Sequence, residues 1–296
     1  MKYAFIINPI SGSIDKKALI SQIEAELQRR KLDYQFYYSE YKGHSIELTK
    51  QIMNATTTAL IAVGGDGTVN EIGSQLIGSD TPLGLIPLGS GNGLARHLKI
   101  PLQPIKALEV ILEGTTTKID AGKLNKKVFF VTCGLGFEAE VAHNFNRRNS
   151  RGIIGYLKET IKLYPSYSSE HYKLKYDGII KNRKAFSVTI ANASEYGNNA
   201  IIAKDASVQD GLLDVCVIKS YPKLFGPQLG LNLFLNNLHN SSYYRGKQVK
   251  SLVIEVKNVS DQINAQVDGE AIKISLPAKV DCLPAALTIL VPKNPK

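Results

Sequence analysis

Residues 60–70 read LIAVGGDGTVN, a short apolar run that ends in two glycines, an aspartate, a third glycine and a threonine. A continuous apolar strand of this length is typical of a parallel sheet that is covered on both faces. Backbone amides in a glycine turn can approach a phosphate closely, so the turn favours a phosphate site. A carboxylate next to phosphates is repelled by their negative charge, so its presence there indicates a bound cation or a proton transfer. Both occur in phosphoryl transfer.

The first 120 residues alternate between strand-like and helix-like segments. Strand-like runs are KYAFIINP, LDYQFYYS, ALIAV and PLGLIPLG, and helix-like segments lie between them. In the segment 13–31, for example, the apolar residues 19, 20, 23 and 27 fall on one helical face. This order predicts a doubly wound α/β domain over residues 1–120.

Residues 121–296 follow a different pattern, in which apolar and polar residues alternate with period two between turn residues. This pattern predicts an antiparallel, β-sandwich-like domain, whose last strand can return to the first domain. Two helix-like segments, 137–164 and 222–238, interrupt it. Because the second is markedly apolar, we expect it to pack in the core.

The composition limits the class of protein and its partners. The formal net charge is +10, which attracts anionic lipid, nucleic acid or phosphorylated ligands. No zinc-finger, RNP-type or helix-turn-helix pattern is visible, so nucleic acid is the least supported partner. The three cysteines have no metal or redox spacing, and no run approaches the roughly 20 apolar residues of a membrane span. We therefore expect a cytoplasmic protein with no transmembrane segment.

Two further glycine turns follow strands of the α/β domain, NPISG at 8–12 and PLGSGNGLAR at 87–96. Loops after successive parallel strands open at the carboxyl edge of the sheet, where ligands bind. We therefore expect these turns to converge with the turn at 64–68. The side chains and backbone that would meet there are those of Asn8, Ser11, Gly12, Ser90 and Asn92.

Taken together, NPxSG, GGDGTxNE, PLGSGN, DGLLDV and VDGE resemble the diacylglycerol kinase catalytic-domain family. The resemblance is to its soluble bacterial lipid kinases and their sphingosine and ceramide kinase relatives, and it extends over essentially the whole chain. GGDGT alone is less specific, since NAD kinases share it. The resemblance implies an ATP- and Mg²⁺-dependent kinase that phosphorylates a lipid hydroxyl.

The same resemblance assigns roles to individual residues. ATP contacts would come from Asn8, Ser11, Gly12, Ser39, Gly64, Gly65, Asp66, Gly67, Thr68, Asn70, Glu71 and Ser90. Asp120, in KIDAGKLN, matches an aspartate that works with the catalytic carboxylates. In VDGE, strand periodicity places Asp268 and Glu270 on one face, and the family has its general base here. In sphingosine kinases the GGDG aspartate, here Asp66, takes that role, so the base stays open among the three.

The stretch DASVQDGLLDV at 205–215 resembles the structural magnesium loop of the family. The ligands would be the Asp210 side chain and the backbone carbonyls of Ser207 and Leu212. Hard oxygen ligands with several waters suit Mg²⁺. A solvated Asp-Gly hairpin turn would explain the same residues, and the resemblance favours the metal.

The substrate stays open because Gly93, in GSGNGLAR, stands where bacterial diacylglycerol kinases usually have an aspartate. The SGN form is similar to sphingosine and ceramide kinases. Two alternatives are an NAD kinase and a nucleotide- or lipid-binding protein without catalysis. Basic and apolar residues mix in segment 145–158, which suits reversible contact with an anionic membrane surface. The chain gives no sign of its oligomeric state, and a homodimer is one possibility.

Overall fold

The computed structural model describes residues 2–53, 59–147, 152–257, 259 and 261–293. Residues 148–151 of the mixed basic and apolar segment lie outside these ranges. The chain forms two compact units, one of residues 1–119 and 285–296 and the other of residues 120–284. We call them unit 1 and unit 2.

Unit 1 is an α/β unit with a parallel sheet. Its strands are β1 (Lys2–Ile7), β2 (Asp33–Tyr38), β3 (Ala59–Gly64) and β4 (Leu83–Pro87), and its helices are α1 (Lys16–Arg29), α2 (His44–Met53), α3 (Asp66–Gly73), α4 (Gly93–His97) and α5 (Pro104–Glu113). The strand order is β2-β1-β3-β4, and β4 also pairs in parallel through Ile289 of the last strand. β3 and β4 are buried at every position, as expected of a sheet covered on both faces. The predicted α/β domain is confirmed.

Local sequence explains why two of these helices begin where they do. The side chain of Asp15 accepts hydrogen bonds from the backbone of Lys17 and Ala18 and so caps α1. α5 begins with Pro104, a residue suited to the first turn because it lacks the N–H that would otherwise stay unpaired. Each helix buries one stripe of apolar side chains, which are Leu19, Ile23, Leu27, Ala107, Leu108 and Ile111.

Unit 2 is built mainly from antiparallel strands. Those wholly within it are β6 (Lys127–Phe129), β7 (Thr132–Gly136), β8 (Glu170–Tyr176), β9 (Ile179–Ala191), β10 (Leu213–Lys219), β11 (Tyr244–Val249), β12 (Ser251–Val256), β13 (Gln262–Val267) and β14 (Glu270–Ser275). Two strands, β5 (Thr115–Leu124) and β15 (Ala278–Val291), each have residues in both units. Its helices are α6 (Phe137–Arg147), α7 (Gly152–Leu163) and α8 (Gly226–Phe234). The long β9 pairs with β7, β8 and β10. The predicted β-rich domain is confirmed.

The apolar segment before and within α8 is mostly exposed, so the expectation that 222–238 packs in the core is wrong. Leu229 and Leu238 are buried, but Leu224 is 87% exposed and Leu231 57% exposed. Phe234 and Leu235 are exposed as well. The apolar composition of a segment does not tell a buried face from an exposed apolar one. Among the described helices, none is long and apolar enough to cross a membrane.

Side chains pack closely in unit 1 where β4 meets β3 and α5. A Cβ added to the buried Gly84 would lie 2.6 Å from Ile61 Cδ1 and 3.0 Å from Ile111 Cγ1. We expect Gly84→Ala to lower the melting temperature, since overpacking a core costs about 1–3 kcal/mol. Gly230→Ala is the control, because nothing lies within 4 Å of its added Cβ in α8. Equal melting of the two variants, measured by circular dichroism, would contradict this account of the core.

Candidate functional site

The three glycine turns of unit 1 meet at the carboxyl ends of β1, β3 and β4. The Asn8 side chain, after β1, donates from Nδ2 to Thr68 Oγ1 at 3.1 Å. Gly12 has a φ of +63°, and a Cβ there would lie 2.2 Å from the carbonyl oxygen of Leu88. The first turn is therefore in contact with both of the others. The structure brings together the loops that the strand order predicted would converge.

Asp66 ties the second turn to the third. It is the first residue of α3, and its two carboxylate oxygens accept the backbone N–H groups of Asn92 and Gly93, each at 2.8 Å. Since any residue at position 93 other than proline supplies this N–H, the contact does not depend on the side chain there. The carboxylate thus fixes the loop that precedes α4.

The third turn is also braced from within by Asn92, which has a φ of +51° and is buried. Its Oδ1 accepts from the Gly89 N–H at 2.9 Å, and its Nδ2 donates to the Gly89 carbonyl at 2.7 Å. A Cβ at Gly89 would lie only 2.7 Å from the Cα of Gly65. Glycine is required at position 89 because the second and third turns touch through their backbones.

The remaining residues assigned to ATP differ in burial and in their hydrogen bonds. The Glu71 side chain, in α3, accepts the Gly43 N–H at 2.9 Å and holds the loop after β2. Ser39 is buried, and its backbone N–H donates to the Ile7 carbonyl at 2.9 Å. Ser11 and Asn70 are partly buried, whereas Ser90 and Gly67 are exposed. Gly65 provides no side-chain cap to α3, so a phosphate can take the capping position.

Asp120 of unit 2 lies against the loop 205–212. The residue is 2% exposed, and its Oδ2 accepts the Gly211 N–H at 2.7 Å. Its own N–H donates to the Val208 carbonyl at 2.6 Å. The structure therefore places Asp120 as an anchor of the loop that resembles the magnesium loop.

The loop itself has the donor chemistry that suits Mg²⁺. Asp210 is exposed, and its Oδ1 accepts the Leu212 N–H at 2.9 Å. Burial raises the pKa of nearby Asp214, and the charges of Asp210 and Asp205 raise it further, so the loop is an electronegative one. No cluster of three or more His, Cys, Asp or Glu metal ligands occurs in the described ranges. One carboxylate with carbonyl oxygens fits a hard cation that keeps several waters.

Asp268 and Glu270 do not share a strand face. Asp268 and Gly269 form the two-residue turn between β13 and β14, with φ of 47° and 80°. Both residues of this turn are left-handed, so the period-two argument of the sequence does not apply. Glu270 is the first residue of β14 and is partly buried. The sequence-based expectation that both carboxylates lie on one strand face is therefore wrong.

The Asp268 carboxylate closes a backbone turn before β7. Its oxygens accept the N–H groups of Phe130 at 3.0 Å, Val131 at 2.8 Å and Thr132 at 3.1 Å. Three backbone donors on one carboxylate are the arrangement of a structural anchor, since each would otherwise be an unpaired buried polar group.

We expect Asp268→Asn to destabilise the protein as well as change its activity. The amide nitrogen would face a backbone N–H, and the loss of a charge-assisted hydrogen bond costs about 1–3 kcal/mol. Thermal melting measures the effect, with Asp261→Asn at an exposed position as the control. A melting temperature equal to that of the control would remove the anchoring role.

Glu138 is a buried carboxyl group outside the residues predicted for ATP, metal and catalysis. It lies in α6, and its Oε2 accepts hydrogen bonds from Thr189 Oγ1 at 2.9 Å and from the Tyr196 hydroxyl. Its Oε1 is buried, and the Gln266 side chain also hydrogen-bonds this carboxyl group. A Cβ at Gly134 would collide with this oxygen, so only glycine leaves room for the carboxylate. In the sequence, this carboxyl group is indicated by an acid that closely follows a glycine-rich strand, in TCGLGFEAEVA.

Burial raises the pKa of Glu138 to about 7, although the hydrogen bonds from Tyr196 and Thr189 lower it. The folded state therefore binds this proton more tightly than the unfolded chain does. The resulting stabilisation is complete below the unfolded pKa of about 4.3 and is lost as the pH rises through about 7.

We expect Glu138→Gln to remove a pH dependence of stability worth roughly 3 kcal/mol between pH 5 and pH 8. Denaturant unfolding at a series of pH values measures it. Glu140→Gln, two residues along α6, is the matched control and should follow the wild-type curve. A Glu138→Gln curve that matches the wild type would show that this carboxyl is not the titrating group.

Two family models match the chain and together span nearly all of it. The diacylglycerol kinase catalytic domain matches residues 2–124, and the YegS C-terminal, NAD kinase β-sandwich-like domain matches residues 131–291. The matches follow the two units of the structure in order.

Individual relatives give the same result. A diacylglycerol kinase from Mycobacterium tuberculosis is 28% identical, over 99% of this chain and 96% of its own. A diacylglycerol kinase from Bacillus subtilis is 28% identical, over 74% of each. A crystal structure of a diacylglycerol kinase from Bacillus anthracis str. Sterne covers 99% of this chain and 97% of its own, with a TM-score of 0.78 at 21% identity. At that identity the structural likeness shows the fold alone.

Proposed function

Because this chain belongs to the diacylglycerol kinase family, with its catalytic and YegS-type C-terminal domains, we propose that it transfers the γ-phosphate of ATP to the hydroxyl of a diacylglycerol-like or sphingoid lipid. The observation that supports this most is the junction of three glycine turns around the Asp66 carboxylate. Such a junction offers backbone N–H groups and a helix N-terminus to the phosphates of a nucleotide.

The arrangement of unit 1 suggests how ATP is held. Gly64 to Thr68 would present N–H groups to the phosphates, with Asn8, Ser11 and Gly12 beside them. Ser39, Asn70, Glu71 and Ser90 would border the nucleotide further out. Asp66 would position the third turn through Asn92 and Gly93, rather than act as the base. Since the Gly93 backbone makes that contact, the missing aspartate at this position does not argue for an inactive protein.

In unit 2 we assign the general base to Glu270. The place of Glu270 in the VDGE motif, where the resemblance has the general base, supports this choice, while Asp268 in the same motif accepts three backbone N–H groups. A carboxylate that accepts the proton of the lipid hydroxyl contributes typically 10²–10⁴-fold to the rate. A Mg²⁺ ion bound with ATP would supply positive charge to the phosphates during transfer. A second ion would be held by Asp210 with the Ser207 and Leu212 carbonyls.

The proposed acceptor is a lipid, which requires contact with a membrane surface. One face of α7 carries the exposed side chains of Ile154, Leu157 and Ile161, which are 69%, 52% and 65% exposed. Their spacing of three and four residues forms one helical stripe. Lys158 and Lys162, beside this stripe, suit anionic headgroups. Such a helix would bind the bilayer reversibly and peripherally.

The decisive measurement is transfer of ³²P from [γ-³²P]ATP to a panel of lipids in mixed micelles with Mg²⁺. We expect one diacylglycerol-like or sphingoid lipid to be labelled. Glu270→Gln should lower kcat about 10²–10⁴-fold and leave ATP binding by calorimetry unchanged. Asp66→Asn should weaken ATP binding at least tenfold. The side chain could no longer accept both N–H groups of Asn92 and Gly93, which hold the third turn against the second.

Asp80→Asn is the control for Asp66→Asn, since Asp80 lies in the same unit and its side chain is 96% exposed. Labelling of NAD⁺ instead of a lipid would identify an NAD kinase. ATP binding without labelling of any acceptor would identify a binding protein. Full activity of Glu270→Gln would overturn the choice of base while leaving the kinase assignment intact.

A further inference from the structure

A pocket of about 190 Å³ opens on unit 2 between the segment that follows α7 and the segment that precedes α8. Among its lining residues are Tyr164, Ser169, Lys184, Phe186, Ser220 and Lys223. None of the residues ascribed to nucleotide, metal or catalysis lines it. The pocket therefore needs an explanation of its own.

Long-range contacts build the pocket. The Tyr164 hydroxyl donates to the Lys223 carbonyl at 2.6 Å, and the Lys223 ammonium donates to the Pro165 carbonyl. The Ser220 N–H donates to the Lys184 carbonyl at 3.0 Å. These bonds join segments that lie far apart in the chain, 59 residues in the case of Tyr164 and Lys223, so the walls are fixed by the fold rather than by one flexible loop.

The lining is cationic, hydroxylated and aromatic. Two lysines and three serines contribute to it, and no aspartate or glutamate lines it. The Phe186 ring packs 5.0 Å from the Tyr221 ring and 5.2 Å from the Tyr167 ring, centroid to centroid, which makes a firm apolar floor. Ammonium and hydroxyl donors over such a floor suit an anion that carries an apolar portion.

The surroundings show which kind of anion. Leu224, directly after Lys223, is 87% exposed, and Phe225 is 40% exposed. The exposed stripe of α7 ends at Ile161, three residues before the pocket residue Tyr164. Exposed apolar side chains close in sequence to both walls of a cationic pocket match a bilayer, where phosphate lies just above the acyl chains.

We propose that this pocket binds the phosphate-bearing headgroup of an anionic phospholipid while Leu224, Phe225 and the α7 stripe enter the bilayer. The bound lipid anchors the protein and is separate from the lipid that is phosphorylated. The proposal rests on the proposed function only in requiring that the protein works at a bilayer. Free phosphate would satisfy the lysines but leave the exposed apolar side chains in water.

Co-sedimentation with vesicles tests the proposal. The vesicles contain phosphatidylcholine alone or with 20% phosphatidylglycerol, and the protein is wild type, Lys184→Gln/Lys223→Gln or Lys247→Gln/Lys273→Gln. Both double variants remove two charges from exposed lysines of unit 2, but only the first pair lies at the pocket. We expect the first variant to bind anionic vesicles at least tenfold more weakly than wild type, and the second less than threefold.

Equal losses in the two double variants would overturn the proposal and leave only nonspecific attraction by net charge. So would release of wild type from the vesicles by millimolar glycerol 3-phosphate, which would identify a soluble phosphate ligand. A Leu224→Ser/Phe225→Ser variant should also bind weakly, and full binding by it would exclude insertion. Lipid phosphorylation in detergent micelles is measured in parallel. If no lipid is phosphorylated, the proposed function is overturned, but the vesicle experiment still tests the headgroup site.

Discussion

The carboxylate of Asp66, held by the N–H groups of Asn92 and Gly93, is the interaction on which the site of unit 1 depends. Parallel strands deliver their turns to one sheet edge, but a shared edge does not fix loops against each other. Asp66 does so for the second and third turns, and Asn8 joins the first through Thr68. The glycines follow from this, because Gly65 and Gly89 touch through their backbones.

Much of unit 1 could be predicted because its signals are local. An apolar stripe gives a helix such as α1, a buried run gives a strand such as β3, and a topological rule places their loops together. α5 carried equally local signals, with Pro104 in its first turn and an apolar stripe at Ala107, Leu108 and Ile111. The short α4 was not predicted, because it starts from the left-handed Asn92 and is held by Asp66, far away in sequence.

The features that escaped prediction in unit 2 all depend on distant partners. Strand periodicity could not describe Asp268, because its left-handed turn points the carboxylate to backbone more than 130 residues earlier in the chain. Glu138 gained its raised pKa from burial beside Thr189 and Tyr196, which the fold supplies from another strand and its following loop. The apolar composition of α8 predicted a core helix. Composition alone does not show whether other elements of the fold cover an apolar face.

The aspartates Asp66, Asp120 and Asp268 share one physical role despite their different places in the chain. Each carboxylate accepts at least one backbone N–H group from a loop that is distant in sequence. These hydrogen bonds hold that loop in place. In the proposed nucleotide complex this would resolve the conflict of an acid placed in a phosphate turn. The N–H groups of Asn92 and Gly93 partly compensate the Asp66 charge, which would reduce its repulsion of a neighbouring phosphate. The carboxylate also holds the third turn against the second, and the backbone N–H groups of both turns would then be available to the same phosphate.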